Sequence, residues 1–391
     1  MPHEAEGQLH WHEPAGLEPA GVSRFRQPPL AYDRFIENED VPAIRAASVV
    51  AGEIALADWR RLAARGAYLP LFGNEGALGL ALIEVPAAGS IQPEQHLFEE
   101  ILFVLEGRGT AELWLPGSTD RVVFEWQPGS LFSIPPNALH RLVNATNTPA
   151  LLLSANTAPA LLNLLGDVDA VFANPFLFQS RFDNETGQAF DAIEPDPVRD
   201  IALCRTSLVP DAIGCDLPLD NRLSPGHRRL QLAMTGLSLE CALGEHRPGR
   251  YGRAQLLDGA AASVCLRGRG YLYLWPERLG PAPWRNGLDS EVLRIELHHG
   301  VITGSGPGGG RWYQQTFVTS AEPLRQLVFS MPPRPAVPPG METRDAAYVE
   351  SVDGGCMIGY AQEDAHLRTE YAATIQSLGL PNRMKPADYA E

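Results

Sequence analysis

Two short motifs between Gly89 and Asn144 constrain this chain more than anything else in it. The first runs Gly89, Glu94, His96, Glu100, Gly107 in the text GSIQPEQHLFEEILFVLEGRG. The second runs Gly129, Pro135, His140, Asn144 in the text GSLFSIPPNALHRLVN. Both alternate residue by residue, with a glycine turn at one end and Pro or Gly punctuation at the other, which is the chemistry of strands. A regular strand would put Glu94, His96, Phe98 and Glu100 on one face. Two carboxylates and an imidazole inside a barrel are costly without a positive partner, and a divalent metal is the economical one. His140 is the fourth group, brought in from a neighbouring strand after the GSLFSIPP turn. A single strand histidine is more often a hydrogen-bonded structural residue, and a glutamate here could simply face solvent. So many correctly spaced residues across two motifs are much harder to obtain by accident.

These residues resemble the two motifs of the cupin superfamily. The first motif ends in His, three residues, Glu, six residues, Gly, which His96, Glu100 and Gly107 fit without a gap. The second is Gly, five residues, Pro, then His, three residues, Asn, which Gly129, Pro135, His140 and Asn144 fit likewise. The departure is at the first histidine of the usual His-x-His pair, where this chain has Glu94. The resemblance implies an all-β fold of cupin (double-stranded β-helix, jelly-roll) barrels. It also implies one divalent metal ion held by His96, Glu100 and His140. Glu94 would then be a fourth ligand, a catalytic base behind the ligands, or an outward-facing charge. Two histidines and one carboxylate suit Fe(II), with Mn, Ni or Zn as alternatives, and leave positions open for oxygen and substrate. Phe98, Leu102, Phe132 and Leu142 would wall the substrate pocket. The implied activity is that of a non-haem Fe(II) oxygenase or dioxygenase acting on a small organic molecule. Alternatives are a non-redox isomerase, decarboxylase or lyase using a Lewis-acidic metal, and a metal-binding bicupin without turnover.

A chain of 391 residues is long for one domain and comfortable for two. We read residues 1–65 as an N-terminal arm and packing segment and 66–160 as the first barrel. Residues 161–228 form a connector, 229–332 a second barrel, and 333–391 a Pro-rich linker with a C-terminal helix. His3, His10 and His12 fall in the loose start of the arm. The stretch 32–65 is expected on the outside of the first barrel, with Trp59 as a packing anchor and Arg60 and Arg61 as solvated charges. Phe172, Phe176 and Phe178 form a candidate docking strip against a barrel or a second subunit. Short peripheral helices complete the expected fold, and Ala365 to Leu378 reads as an amphipathic helix.

The second half repeats the first. Gly268 to Tyr271 sits where Gly107 to Thr110 sits, and Gly300 parallels Gly129, which points to an internal duplication, a bicupin. The repeat has lost its ligands: Gln255 and Leu257 precede its turn, and Trp312 to Thr316 occupy the place of the second-motif histidine. Without His or carboxylate there, a divalent ion has little to hold it. Gly304, Gly306 and Gly309 formally spell GxGxxG, but a strand-like run follows, so the dinucleotide reading fails. His298 and His299 would point to opposite faces of a strand.

A formal charge of -16 argues against a nucleic-acid footprint and against an anionic membrane surface. No segment has the pattern of a secretory signal or the apolar length of a membrane span. Five cysteines without a CxxC pair suit reduced thiols. The expectation is a cytoplasmic homodimer acting on a small molecule, with no nucleic-acid or membrane partner.

Overall fold

A computed structural model describes residues 29–186, 190–196, 201–235, 238–257, 259–307, 311–331 and 355–389. The histidines of the arm, Gly309 and the Pro-rich linker lie outside the described residues. The chain enters through α1 (Ala31–Asn38), β1 (Ser48–Val50), β2 (Ala57–Trp59) and β3 (Ala64–Tyr68). Seven strands follow: β4 (Gly79–Val85), β5 (Glu100–Glu106), β6 (Gly109–Trp114), β7 (Val122–Trp126), β8 (Leu131–Ile134), β9 (Leu139–Asn144) and β10 (Ala150–Asn156). The connector holds α2 (Ala158–Leu165), α3 (Val168–Phe172), α4 (Gln179–Glu185), β11 (Ile193–Pro195), β12 (Ala202–Arg205) and β13 (Leu208–Val209). The second half contributes β14 (Arg228–Ala233), β15 (Glu240–His246), β16 (Ala254–Leu257), β17 (Ala260–Arg267) and β18 (Gly270–Pro276). It continues through β19 (Leu293–Leu297), β20 (Val301–Thr303), β21 (Trp312–Val318), β22 (Leu324–Met331) and β23 (Met357–Ile358) to α5 (Ala365–Ser377).

The duplication is visible in the strand order. The first barrel pairs β8-β5-β10-β4-β3 in one sheet and β7-β6-β9 in the other; the second pairs β20-β17-β22-β15-β14 and β19-β18-β21. The corners correspond too: Gly107 (φ 88°) and Gly268 (φ 77°) both take the left-handed conformation that glycine adopts without strain. Register then aligns the two halves residue by residue. Leu113 opposes His140 in the first barrel, and Leu274 opposes Gln314 in the second. Glu94 bridges His140, and Gln255 pairs with Gln314. Asn156 faces Gly79 and Glu100, whereas Ser330 faces Glu240 and Ala261. Gln255, Leu257, Ala261 and Gln314 therefore stand where Glu94, His96, Glu100 and His140 stand, and none can donate as a histidine or carboxylate does.

Alternation along the strands divides the core in two. From β5, Ile101 and Phe103 face the other barrel and pack with Leu82, Leu153, Leu243, Leu327 and Phe329 in one cluster. Leu102 and Val104 face inward and pack with Leu113, Phe132, Leu142 and Leu152. Segments outside the two barrels also supply edge strands. Here the expectation for residues 32–65 needs correction: β2 and β3 extend the first barrel, but β1 pairs with β20 of the second. Conversely β13, from the connector, pairs with β8 of the first. An unpaired edge leaves donors and acceptors to satisfy, and these exchanged strands cover both.

Helix α5 lies against the outer face of the β19-β18-β21-β16-β23 sheet, where the Tyr371 hydroxyl donates to the Val318 carbonyl (2.9 Å). Ahead of it, the buried Glu363 accepts from the Tyr251 hydroxyl (2.6 Å) and Gln315 Nε2 (3.0 Å). No described helix is long and apolar enough to cross a membrane.

Truncating Phe329 to Ala should cost about 3–5 kcal/mol, and because its cluster belongs to both barrels, chemical denaturation should still show one transition. A second prediction concerns pH. Burial pushes the Glu363 carboxyl up to about 7 despite its hydrogen bonds. A raised folded-state pKa means stability is complete below the ordinary carboxyl range and lost as pH rises through that value. Thermal melts of Glu363→Gln should therefore fall less than wild type between about pH 5 and pH 8.

Candidate metal centre

The two motifs meet as a hairpin pair. Glu94 and His140 exchange backbone hydrogen bonds (3.0 and 2.9 Å), which places the start of the first motif against β9. The expected regular strand from Glu94 to Glu100 is not formed. After Glu94 the backbone leaves the ladder, the Asn137 amide donates to the His96 carbonyl (2.6 Å), and β5 begins only at Glu100. His96 is thus presented from a loop across the barrel mouth rather than from a strand face. Phe98 stays beside it, its ring stacked flat on the His96 imidazole, 3.6 Å between centroids and 3° between planes. Leu102, Phe132 and Leu142 lie deeper, in the closed apolar interior.

His96, Glu100 and His140 converge, with one ligand atom from each within 4.8 Å of the others. His96 Nε2 is 3.1 Å and His140 Nε2 3.8 Å from the same oxygen, Glu100 Oε2. All three side chains are buried. Of the remaining atoms, His96 Nδ1 and Glu100 Oε1 are engaged elsewhere, while His140 Nδ1 is buried without a hydrogen-bond partner. His96 Nδ1 lies 3.0 Å from the Phe98 carbonyl, an acceptor only, so the proton sits on Nδ1 and the Nε2 lone pair is free. Glu100 Oε1 accepts from Ser154 Oγ, which in turn accepts from Asn156 Nδ2 (3.0 Å). Only Oε2 is left facing the imidazoles.

The protonation states match. Burial alone would raise the Glu100 carboxyl, but the hydrogen bond and charge of His96, then His140 and Ser154, hold it down at about 2. Burial lowers the His140 imidazole, with the neighbouring His96 adding to the effect. An ionised carboxylate beside a neutral imidazole is what a divalent cation requires. Both His96 nitrogens face oxygen atoms, Nδ1 the Phe98 carbonyl and Nε2 the Glu100 carboxylate, and a cation between Nε2 and Oε2 satisfies both lone pairs. The donor set therefore fits a divalent metal.

Glu94 is not part of this group. One of its oxygens pairs with Arg61 Nη1, and Oε2 is 3.9 Å from His140 Nε2. Arg61 itself corrects an expectation: it is not a solvated surface charge. Its Nε donates to Glu39 (2.7 Å), and its guanidinium lies over the rings of Phe172 (4.9 Å), Trp59 (5.4 Å) and Phe35 (5.7 Å). Trp59 is a buried anchor as expected, but its indole N–H also donates to Glu39.

The connector roofs the site. The Leu97 amide donates to the Val171 carbonyl (2.9 Å), and Asn137 Nδ2 donates to the carbonyls of Asn174 and Phe176. The aromatic strip is split: Phe172 turns in against Phe35 and Phe98, while Phe176 is exposed. Glu99 points away from its neighbour Glu100 and is not at a solvent face. Its Oε2 accepts from the Ser238 amide and hydroxyl and from the Leu239 amide, at 2.8–3.0 Å, all from the second half. Arg61, Glu39, Ser154 and the Ser238 turn were not signalled by either motif, because each reaches the site through pairing of distant segments.

Residues 81–156 match the cupin domain family model. No curated protein matches the sequence. Among solved structures, the chain is similar to oxalate decarboxylase of Lactobacillus farciminis in its formate complex (11% identity, 74% of this chain and 86% of that one, TM-score 0.46). It is also similar to a mutant oxalate decarboxylase of Bacillus subtilis (11% identity, 82% of this chain and 88% of that one, TM-score 0.46). A third similarity is to vicilin from hazelnut, Corylus avellana (14% identity, 86% and 95%, TM-score 0.44). At these identities and scores none of them bears on the chemistry of this chain. The matched segment is the first barrel, from β4 to β10, and its strand order recurs in the second half.

Proposed function

We propose that this bicupin is a metal-dependent enzyme acting on a small organic molecule, with one divalent ion held by His96, Glu100 and His140. The observation that carries the reading is the convergence of two imidazole nitrogens on one free carboxylate oxygen in a buried site. Two histidines and one carboxylate are the donor set of non-haem Fe(II) centres, which favours an oxygenase or dioxygenase. When bound, iron would supply the redox chemistry that links dioxygen to substrate. The chain's own residues do the rest. Phe98 and Phe172 shield the site from bulk water, Leu102, Phe132 and Leu142 keep its floor apolar, and the Phe98 carbonyl and Ser154 orient two of the three donors.

Glu94 supports a second reading. A carboxylate fixed beside His140 by Arg61, outside the donor triple, is placed to take or return a proton on a substrate at this mouth. That favours non-redox isomerisation, decarboxylation or lyase chemistry with Mn, Zn or Ni in place of iron.

Metal analysis of anaerobically purified protein, followed by oxygen uptake against a panel of small acids and phenols, separates the two. The first reading predicts iron and substrate-dependent uptake; zinc or manganese with turnover but no uptake would replace it with the second. In either case His96→Ala and His140→Ala should weaken metal retention by about a hundredfold or more. Gln255→Ala and Gln314→Ala, at the matching places of the second barrel, should leave retention unchanged.

A further inference from the structure

The donor triple leaves one nearby carboxylate unused, and the structure shows what restrains it. Glu94 lies directly across the ladder from His140, so its side chain starts beside the metal position. Its Oε2 comes within 3.9 Å of His140 Nε2, yet its other oxygen is engaged by Arg61. Glu94 is largely buried, so its charge needs a cation close by, and there are two contenders: the guanidinium and the ion. The guanidinium cannot give way, because it does not deprotonate in proteins. Nor can it follow Glu94 inward. Glu39 accepts from its Nε at 2.7 Å, and three aromatic rings enclose it at 4.9–5.7 Å. Glu39 is held in turn by the Trp59 indole.

We propose that Arg61 sets the number of protein ligands at the metal, by holding Glu94 off the ion so that three donors rather than four bind it. This rests on the metal reading above and deepens it. An octahedral ion with three protein ligands keeps three positions for exchangeable molecules, enough for a chelating substrate and a second small molecule; with Glu94 bound, only two remain. Arg61 is thus a positioning residue that decides how many positions on the ion stay open. It acts from a segment before the barrel that belongs to neither motif.

Manganese titration of the full chain tests this, read as affinity by chelator competition and as water-proton relaxivity, which counts bound waters. Glu94→Gln should hold manganese within about threefold of wild type with unchanged relaxivity, since Glu94 is not a ligand. Arg61→Met keeps the apolar stem against the rings but frees Glu94. It should bind manganese about tenfold tighter or more, with relaxivity lower by about one third, as expected when one of three waters is displaced from an octahedral ion. In the double variant Arg61→Met, Glu94→Gln both values should return to those of wild type. A loss of affinity in Glu94→Gln together with relaxivity raised by an added bound water would show that Glu94 already binds and would overturn the proposal. So would unchanged relaxivity in Arg61→Met, or an equal gain in affinity with and without Glu94, which a simple loss of positive charge would produce. Should Arg61→Met fail to fold by circular dichroism, the Glu94→Gln result decides alone. Absence of manganese binding by wild type would instead overturn the metal reading, and this inference with it.

Discussion

A charged carboxylate enclosed in apolar surroundings must be met by something positive, and Glu100 is such a group. It is buried at the mouth of a β-barrel, held ionised, with one oxygen satisfied by Ser154 and the other turned toward two histidines. Desolvating an ion without compensation costs far more than any hydrogen bond returns. The arrangement is balanced when a divalent cation sits among the three donors, and the surrounding structure is built to keep them there. The Phe98 carbonyl sets the His96 tautomer, the Asn137 amide fixes the loop that carries it, and β9 carries His140 at the register that faces Glu94.

The second barrel supports this centre without copying it. Its interior has Gln255, Leu257, Ala261 and Gln314 at the aligned positions, so it offers no comparable donor group among the described residues. What it provides is rigidity. The two barrels share one apolar layer, β1 and β13 from outside the barrels complete their sheets, and Ser238 and Leu239 hold Glu99, the residue next to Glu100.

Much of this was legible from residue spacing. His96, Glu100, His140 and the turn glycines follow local rules, because a hairpin fixes its own periodicity and its own left-handed corners. Asn144 was legible as part of a motif, and its role proves structural: its Nδ2 donates to the carbonyls of Val85, Pro86 and Thr148, and its Oδ1 accepts from the Thr146 amide. The duplication was legible too, down to Gln255 and Leu257. The regular strand through Glu94 and Phe98 was misread because alternation in sequence cannot reveal where a backbone departs from its ladder. Arg61, the exchange of β1 and the α3 roof were hidden for a different reason. Each depends on which non-adjacent segments come together, and a polar residue in a stretch such as WRRL looks the same whether it faces water or an ion-binding site.

The most direct test is a crystal soaked with manganese and measured at the metal's absorption edge. The account predicts a single anomalous peak in the first barrel, about 2.0–2.3 Å from His96 Nε2, His140 Nε2 and a Glu100 oxygen. A peak in the second barrel, or no peak with His96, Glu100 and His140 bonded only to one another, would contradict it.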